Sequence, residues 1–254
     1  KYLGHVFDFI EVEKLISKKS KNIITLKRQY RMNEKICSLI NKYFYDGNLI
    51  TDVSVKSKDY PKFINNNLIL VDTSSSNPFC QMPAGGSRYN MVHAGAIRNL
   101  CVYLNDQKLI KDVTSVGVTT PYKAQQVFIS DLIKEFSLND VVSGTVHRFQ
   151  GDQKDIIIFD IPDSEGVFPS PLINAASSRE QGAKLMNVAF SRSKDILIVF
   201  ANVVYLQERL PATSILRNLI LDLQNKGKVC LLYTSDAADD SLRVDLGGRR
   251  IIKK

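Results

Sequence analysis

The chain holds 254 residues with a formal net charge of +8, 44% hydrophobic and 24% charged side chains. That is ordinary globular composition, which argues against a low-complexity or collagen-like chain and leaves room for one large domain or two small ones. The basic balance suits a polyanionic partner, or equally a well-solvated surface. Cys37, Cys80, Cys101 and Cys230 form no CxxC pair, and His5, His93 and His147 lie apart from them, so neither a zinc site nor a disulfide framework is indicated. No apolar run reaches the span of a membrane helix, and the start lacks a signal-peptide layout. A soluble, monomeric protein of the cytoplasm with no membrane partner is expected, with further residues upstream because position 1 is Lys rather than Met.

In chain order, the apolar run IITL at 23–26 reads as a first strand. The segment 33–45 sets Ile36, Leu39, Ile40, Tyr43 and Phe44 at helical spacing, with Asn33 as N-cap and Gly47 just beyond the end. LILV at 68–71 is a second strand, and the Ser-, Gly-, Pro- and Asn-rich stretch 73–90 reads as an exposed loop. A helical pattern over 94–104 then precedes the strand VGVTT at 116–120, and another over 124–136 follows it. DIIIFDI at 155–161 and ILIVF at 196–200 complete the strands. Continuous β-branched runs alternating with helices predict a parallel sheet with crossover helices, whose ligands bind at loops beyond the carboxyl ends of the strands. There is no internal repeat.

Four segments carry chemistry: LKRQYRMNEKI, VGVTTPYKAQ, GTVHRFQGDQKDIIIF and LMNVAFSRSKDILIVF. In the first, Tyr30 and Arg31 stand between a strand and a capped helix. There an aromatic face can stack on a base and a guanidinium can fork onto phosphate oxygens, although in isolation Tyr30 could equally be core and Arg31 a surface ion-pair partner. In the second, Pro121 opens a helix after a buried strand. Free N–H groups at the helix start plus the Thr120 hydroxyl would make a sequence-neutral phosphate site, or Pro121 merely starts the helix and Tyr122 packs. In the third, Gly151 permits close backbone approach, Thr145 and His147 can hydrogen-bond phosphates or sugars, and Phe149 reads as core. In the fourth, Arg192 precedes a strand, as a cation aimed out of the sheet or as an ordinary charge on the helix that carries Lys194.

Taken together and in this order, the four segments resemble the motifs of the second RecA-like domain of superfamily 1 helicases, in the subgroup that contains the nonsense-mediated-decay RNA helicase. The resemblance covers most of residues 22–205. It implies a three-layer α/β domain of the P-loop NTPase superfamily, with a mainly parallel central sheet flanked by helices. It implies that Arg31 contacts the γ-phosphate of ATP, that Tyr30 packs near the adenine, and that Gly151 and Gln153 lie near the nucleotide. Gln153 stands where the family commonly has Glu, so a carboxylate contact to the ribose does not carry over. Arg192 is similar to the family's arginine finger, which neutralises charge in the transition state and is worth on the order of a thousandfold in rate. Thr120, Tyr122, Gln125, Thr145 and His147 resemble positions that grip single-stranded DNA or RNA.

No GxxxxGK[ST] occurs, and no Asp-Glu pair follows an apolar strand. ATP with Mg²⁺ is therefore expected to be held mainly by a first RecA-like domain in cis that is missing here, and this chain by itself is expected not to hydrolyse ATP. Asp160, which ends an apolar strand and could pass for a magnesium ligand, is read as part of a buried strand, so no metal residue is assigned. The expected division is 1–21 as linker remnant, 22–210 as the RecA-like domain, 211–229 as a helical extension, and 230–254 as a tail that resembles translated sequencing-adapter DNA and has no sustained helical or strand period. Two other functions stay open: a nucleic-acid-binding scaffold with an inactive ATPase, and a helicase fused to a nuclease.

Overall fold

A computed structural model describes residues 26–84, 86–110, 115–149, 151–234 and 242–244. The expected linker remnant, most of the IITL strand, Gln150 and most of the expected tail lie outside the described residues. The elements in order are β1 (Arg28–Gln29), α1 (Glu34–Phe44), β2 (Ile50–Thr51), β3 (Leu68–Asp72), a 3-10 turn at Ser74–Ser76, α2 (Met91–Asp106), β4 (Val116–Thr120), α3 (Lys123–Glu135), β5 (Val141–Thr145), β6 (Lys154–Ile161), α4 (Gln181–Phe190), β7 (Ser193–Ala201), α5 (Val203–Arg209), α6 (Ile215–Lys226), β8 (Lys228–Thr234) and β9 (Leu242–Val244).

Strands β5, β4, β6, β7, β3, β8 and β9 form one seven-stranded sheet in that order, and β1 pairs separately with β2. All neighbours in the large sheet run parallel except β9, which is antiparallel to β8. Alternation explains why the apolar runs are continuous. Leu68, Leu70, Ile157, Phe159, Leu197 and Val199 face a core shared with α1, α4, α5 and α6. Their neighbours Ile69, Val71, Ile156, Ile158, Ile196 and Ile198 face a second core shared with α2 and α3. A strand buried on both faces needs apolar residues at every position, and the result is the expected three-layer α/β domain.

Side-chain caps start the helices: Asn33 accepts from Lys35 N, Asn90 from His93 N, Asn202 from Tyr205 N and Ser214 from Arg217 N. Gly47, with φ 75°, takes the left-handed turn after α1.

The structure differs from the expected elements in three places. The stretch 73–90, expected as an exposed loop, is exposed only in part: Ser75, Asn77, Phe79, Met82, Pro83, Ala84 and Gly86 face solvent, whereas Thr73, Cys80, Arg88 and Asn90 are buried, and the bridges Phe79 to Glu165 and Gln81 to Tyr89 tie it down. The tail expected from 230 onward begins inside β8, which pairs with β3 across the expected boundary. There Cys230 and Leu232 point into the core while Val229 and Leu231 point out, a period of two that satisfies the open edge of β3. Finally, β5 is a strand that no continuous apolar run announces, because Ser143 and Gly144 interrupt it.

The β5 to β6 connection is unusual. Both strands run parallel to β4, so the chain between them must return from the carboxyl edge of the sheet to its amino edge, and none of the described residues among 146–153 forms a helix. Phe149 lies flat over β4 and β5. A Cβ on Gly117 would stand 2.8 Å from its Cε1, and one on Gly144 would stand 2.8 Å from its Cε2. Two strand glycines thus clear a groove for one ring, and the Phe149 core reading holds.

Candidate functional site

At the amino edge, the Gln29 carboxamide builds the turn that presents Arg31. Its Oε1 accepts from Arg31 N and Met32 N at 2.7 Å each, and its Nε2 donates to Met32 O at 2.8 Å and Thr51 Oγ1 at 2.7 Å. Met32 is thereby turned into the core and Tyr30 is left 69% exposed, which removes the core reading of that ring. Asn33 N bonds Lys194 O at 2.6 Å, which locks the turn to the start of β7.

Arg192 stands between the end of α4 and β7, so it is not on a helix with Lys194, which belongs to the strand. Its Nε donates to Val188 O at 3.2 Å and its Nη1 reaches Asp152 O at 3.5 Å. Arg31 Nη1 donates to Ser191 O at 3.3 Å, one residue away. The two guanidiniums therefore share one small site. Burial lowers the Arg192 pKa first, and the charge of Arg31 lowers it further. Among the described residues neither arginine forms an ion pair. The adjacent Asp152 carboxylate pairs with Lys154 at 3.4 Å. Gly151 (φ 95°) and exposed Gln153 flank that Asp152, and a Cβ at Gly151 would meet nothing within 4 Å. Two cations held close on neutral carbonyls, with open space beside them, form a site that an anion relieves.

This edge is where strands β6 and β7 begin, not where they end. Arg192 immediately precedes β7 and Gln153 immediately precedes β6, so both lie opposite the carboxyl ends at which ligands were expected.

The carboxyl edge holds the other predicted residues, and it separates them. Thr145 is half-buried and His147 is exposed, with exposed Arg148 beside it. Thr120, Tyr122 and Gln125, read as positions that resemble the strand-binding ones, are buried. Gln125 is enclosed by its own partners: Oε1 accepts from Asn90 N at 2.7 Å, and Nε2 donates to Asp160 Oδ2 at 2.6 Å. Tyr122 packs beside Asp163 and under Arg88, whose guanidinium carbon lies 5.5 Å from the ring centroid. Burial first and the Asp163 charge second push the Tyr122 hydroxyl above its ordinary pKa. The N–H groups expected to be free at the start of α3 are also engaged: Ala124 N bonds Ser87 Oγ at 2.8 Å and Gln125 N bonds Arg88 O at 3.2 Å.

Asp160 has no vacancy either. Its Oδ1 lies 2.7 Å from His93 Nδ1, and His93 Nε2 lies 2.8 Å from Thr73 Oγ1. This Thr-His-Asp order imitates a nucleophile, base and acid, yet all three side chains are fully buried. No substrate reaches them, and the network ties β3, α2 and β6 together. It was not legible beforehand, because its bonded pairs lie 20 and 67 residues apart. Arg148, by contrast, could have been found as the next residue after His147.

The topology and the paired arginines define a RecA-like α/β domain that presents cations from one edge. The family described as an AAA domain (AAA_12) matches residues 10–204, and the chain belongs to it. Over 237 residues the chain is 27% identical to the DNA replication ATP-dependent helicase/nuclease DNA2 of Bos taurus, covering 78% of this chain and 20% of that protein. It is 29% identical over 196 residues to the DNA polymerase alpha-associated DNA helicase A of Saccharomyces cerevisiae, covering 70% of this chain and 27% of that one. The C-terminal domain of a possible DNA helicase from Lactobacillus plantarum overlays with a TM-score of 0.43 at 11% identity, covering 79% of this chain and 98% of that one. The chain thus spans about a fifth to a quarter of the length of these two curated relatives. No helix among the described residues is long and apolar enough to cross a membrane.

Proposed function

We propose that this chain is the second motor domain of an ATP-dependent helicase or translocase acting on single-stranded DNA or RNA. The observation that carries the reading is the convergence of Arg31 and Arg192, which share one site without a carboxylate partner among the described residues. Polyphosphate oxygens suit that site: two forked cations bind them bidentately, and the anion offsets the repulsion between the arginines. Arg31 and Arg192 would hold the terminal phosphate and the charge that builds up as it leaves, with Tyr30 beside the base and Gly151 and Gln153 along the sugar side. Mg²⁺ would be held together with the ATP phosphates by the first RecA-like domain of the full-length protein.

Thr145 and His147 at the carboxyl edge would contribute the strand grip, joined by Arg148. The connection from β5 to β6 begins at that grip and brings the Asp152 carbonyl to 3.5 Å from Arg192 Nη1, which would offer a physical route for coupling hydrolysis to stepping.

The full-length protein tests the reading. Its ATP hydrolysis should rise when single-stranded oligonucleotide is added. Hydrolysis indifferent to any single strand would overturn the motor assignment.

A further inference from the structure

The carboxyl edge carries a feature that the motor motifs do not explain. A cavity of 440 Å³ opens between Phe79, Cys80, Met82, Arg88, Val167 and Phe168. Its rim is apolar and exposed: Phe168 is 79%, Phe79 57% and Met82 54% accessible. One wall follows β3 and the other follows β6, so the cavity lies at the carboxyl edge, on the same side of the sheet as Thr145 and His147.

Its walls are fixed in advance. Cys80 N bonds Glu165 O at 2.8 Å, and Gln81 and Tyr89 exchange two backbone bonds at 2.8 and 2.9 Å. Tyr205 Oη donates to Val167 O at 2.7 Å. Gly166, with φ 97°, lets the Phe79 ring sit on the backbone, where a Cβ would stand 2.7 Å from Phe79 Cε2. The single charged lining residue, Arg88, already pairs with Asp163 and covers Tyr122. The nearby Glu165 carboxylate lies 3.8 Å from Arg209.

Resting on the strand-binding reading above, we infer that this cavity is a base-stacking subsite for a nucleobase of the single strand, whose phosphates pass along Thr145, His147 and Arg148. The Phe79 ring seated on Gly166 and the exposed Phe168 ring, without an unpaired carboxylate among the lining residues, accept the flat face of any base while tolerating the adjacent backbone charge. Such stacking is indifferent to sequence, as a translocating motor requires. Because Arg88 is engaged, the cavity offers no free cation of its own and selects bases over phosphate.

The test measures binding of the 254-residue chain by fluorescence anisotropy, at one salt concentration. The probes are an oligothymidylate of about 12 nucleotides and an abasic backbone of equal length and charge. Wild type should bind the oligothymidylate about 10-fold tighter or more. Phe168→Ala should remove most of that difference without changing abasic binding, and Phe168→Trp should restore it. Because Phe168 is exposed, its thermal melt should match wild type. If wild type binds both probes equally and in a salt-sensitive manner, the stacking site is wrong while the strand grip stands. If it binds neither, the strand-binding reading fails with it. Unchanged binding in Phe168→Ala, or equal loss on both probes, likewise overturns the stacking site and leaves the apolar rim to a protein partner.

Discussion

Replacing Gly144 with alanine isolates the connection that joins the two edges. Gly144 has no left-handed backbone to protect, so an alanine there would ordinarily gain about 0.5–1 kcal/mol over glycine in a strand. Here its Cβ would stand 2.8 and 2.9 Å from Phe149 Cε2 and Cδ2, and that ring is buried and cannot swing away. Overpacking of this kind costs about 1–3 kcal/mol. The steric cost wins, for a net destabilisation of about 1–2 kcal/mol, or roughly 2–8 °C in melting temperature for a chain of this size. Urea and thermal unfolding of Gly144→Ala measure it. In a Phe149→Leu background the ring atoms are gone, so the same substitution should cost less, with a coupling energy of about 0.5–3 kcal/mol. Equal cost in both backgrounds, or no cost in the first, would refute the packing argument.

Gln125→Ala should lower stability by about 1–3 kcal/mol for each partner it leaves buried and unpaired, Asn90 N and Asp160 Oδ2, without changing strand affinity under native conditions. Weakened strand binding with unaltered stability would restore Gln125 as a direct contact. Arg148→Ala should reduce the dependence of strand affinity on salt by about one phosphate's worth, read as a shallower slope of log affinity against log salt. An identical slope removes Arg148 from the grip. Burial alone would raise the Asp155 pKa, but hydrogen bonds from the Ser115 amide and hydroxyl and from Lys58 outweigh it and leave the carboxyl below its ordinary value. A carboxylate lowered in the folded state adds stability above its unfolded pKa of about 4 and loses it as pH falls through the folded value. The urea midpoint should therefore decline below about pH 4, and Asp155→Asn should flatten the decline; an unaltered decline contradicts the assignment.

Legibility in the sequence followed the range of the forces. The buried strands were readable because a strand packed on both faces needs an unbroken apolar run, and α1 was readable because Asn33 and Gly47 punctuate a local period. The amino-edge residues were readable as a set because Gln29, Arg31 and Arg192 sit in short contiguous strings whose chemistry is local. The burial of Tyr122 and Gln125 was not legible because it depends on Arg88, Asn90, Asp160 and Asp163, which lie 34 to 41 positions away in the sequence. The 73–90 segment was legible only in part for the same reason, since its buried members Thr73, Arg88 and Asn90 look identical in composition to polar residues facing water. Which edge of the sheet holds the arginines is a property of topology, and no single motif encodes it.

Whether Arg192 acts on the phosphates of ATP from this domain is tested directly by single-turnover hydrolysis with the full-length protein. Arg192→Ala should lower the strand-stimulated rate by on the order of a thousandfold while nucleotide affinity changes little, because the interaction strengthens in the transition state. Hydrolysis by Arg192→Ala at the wild-type rate would contradict the account.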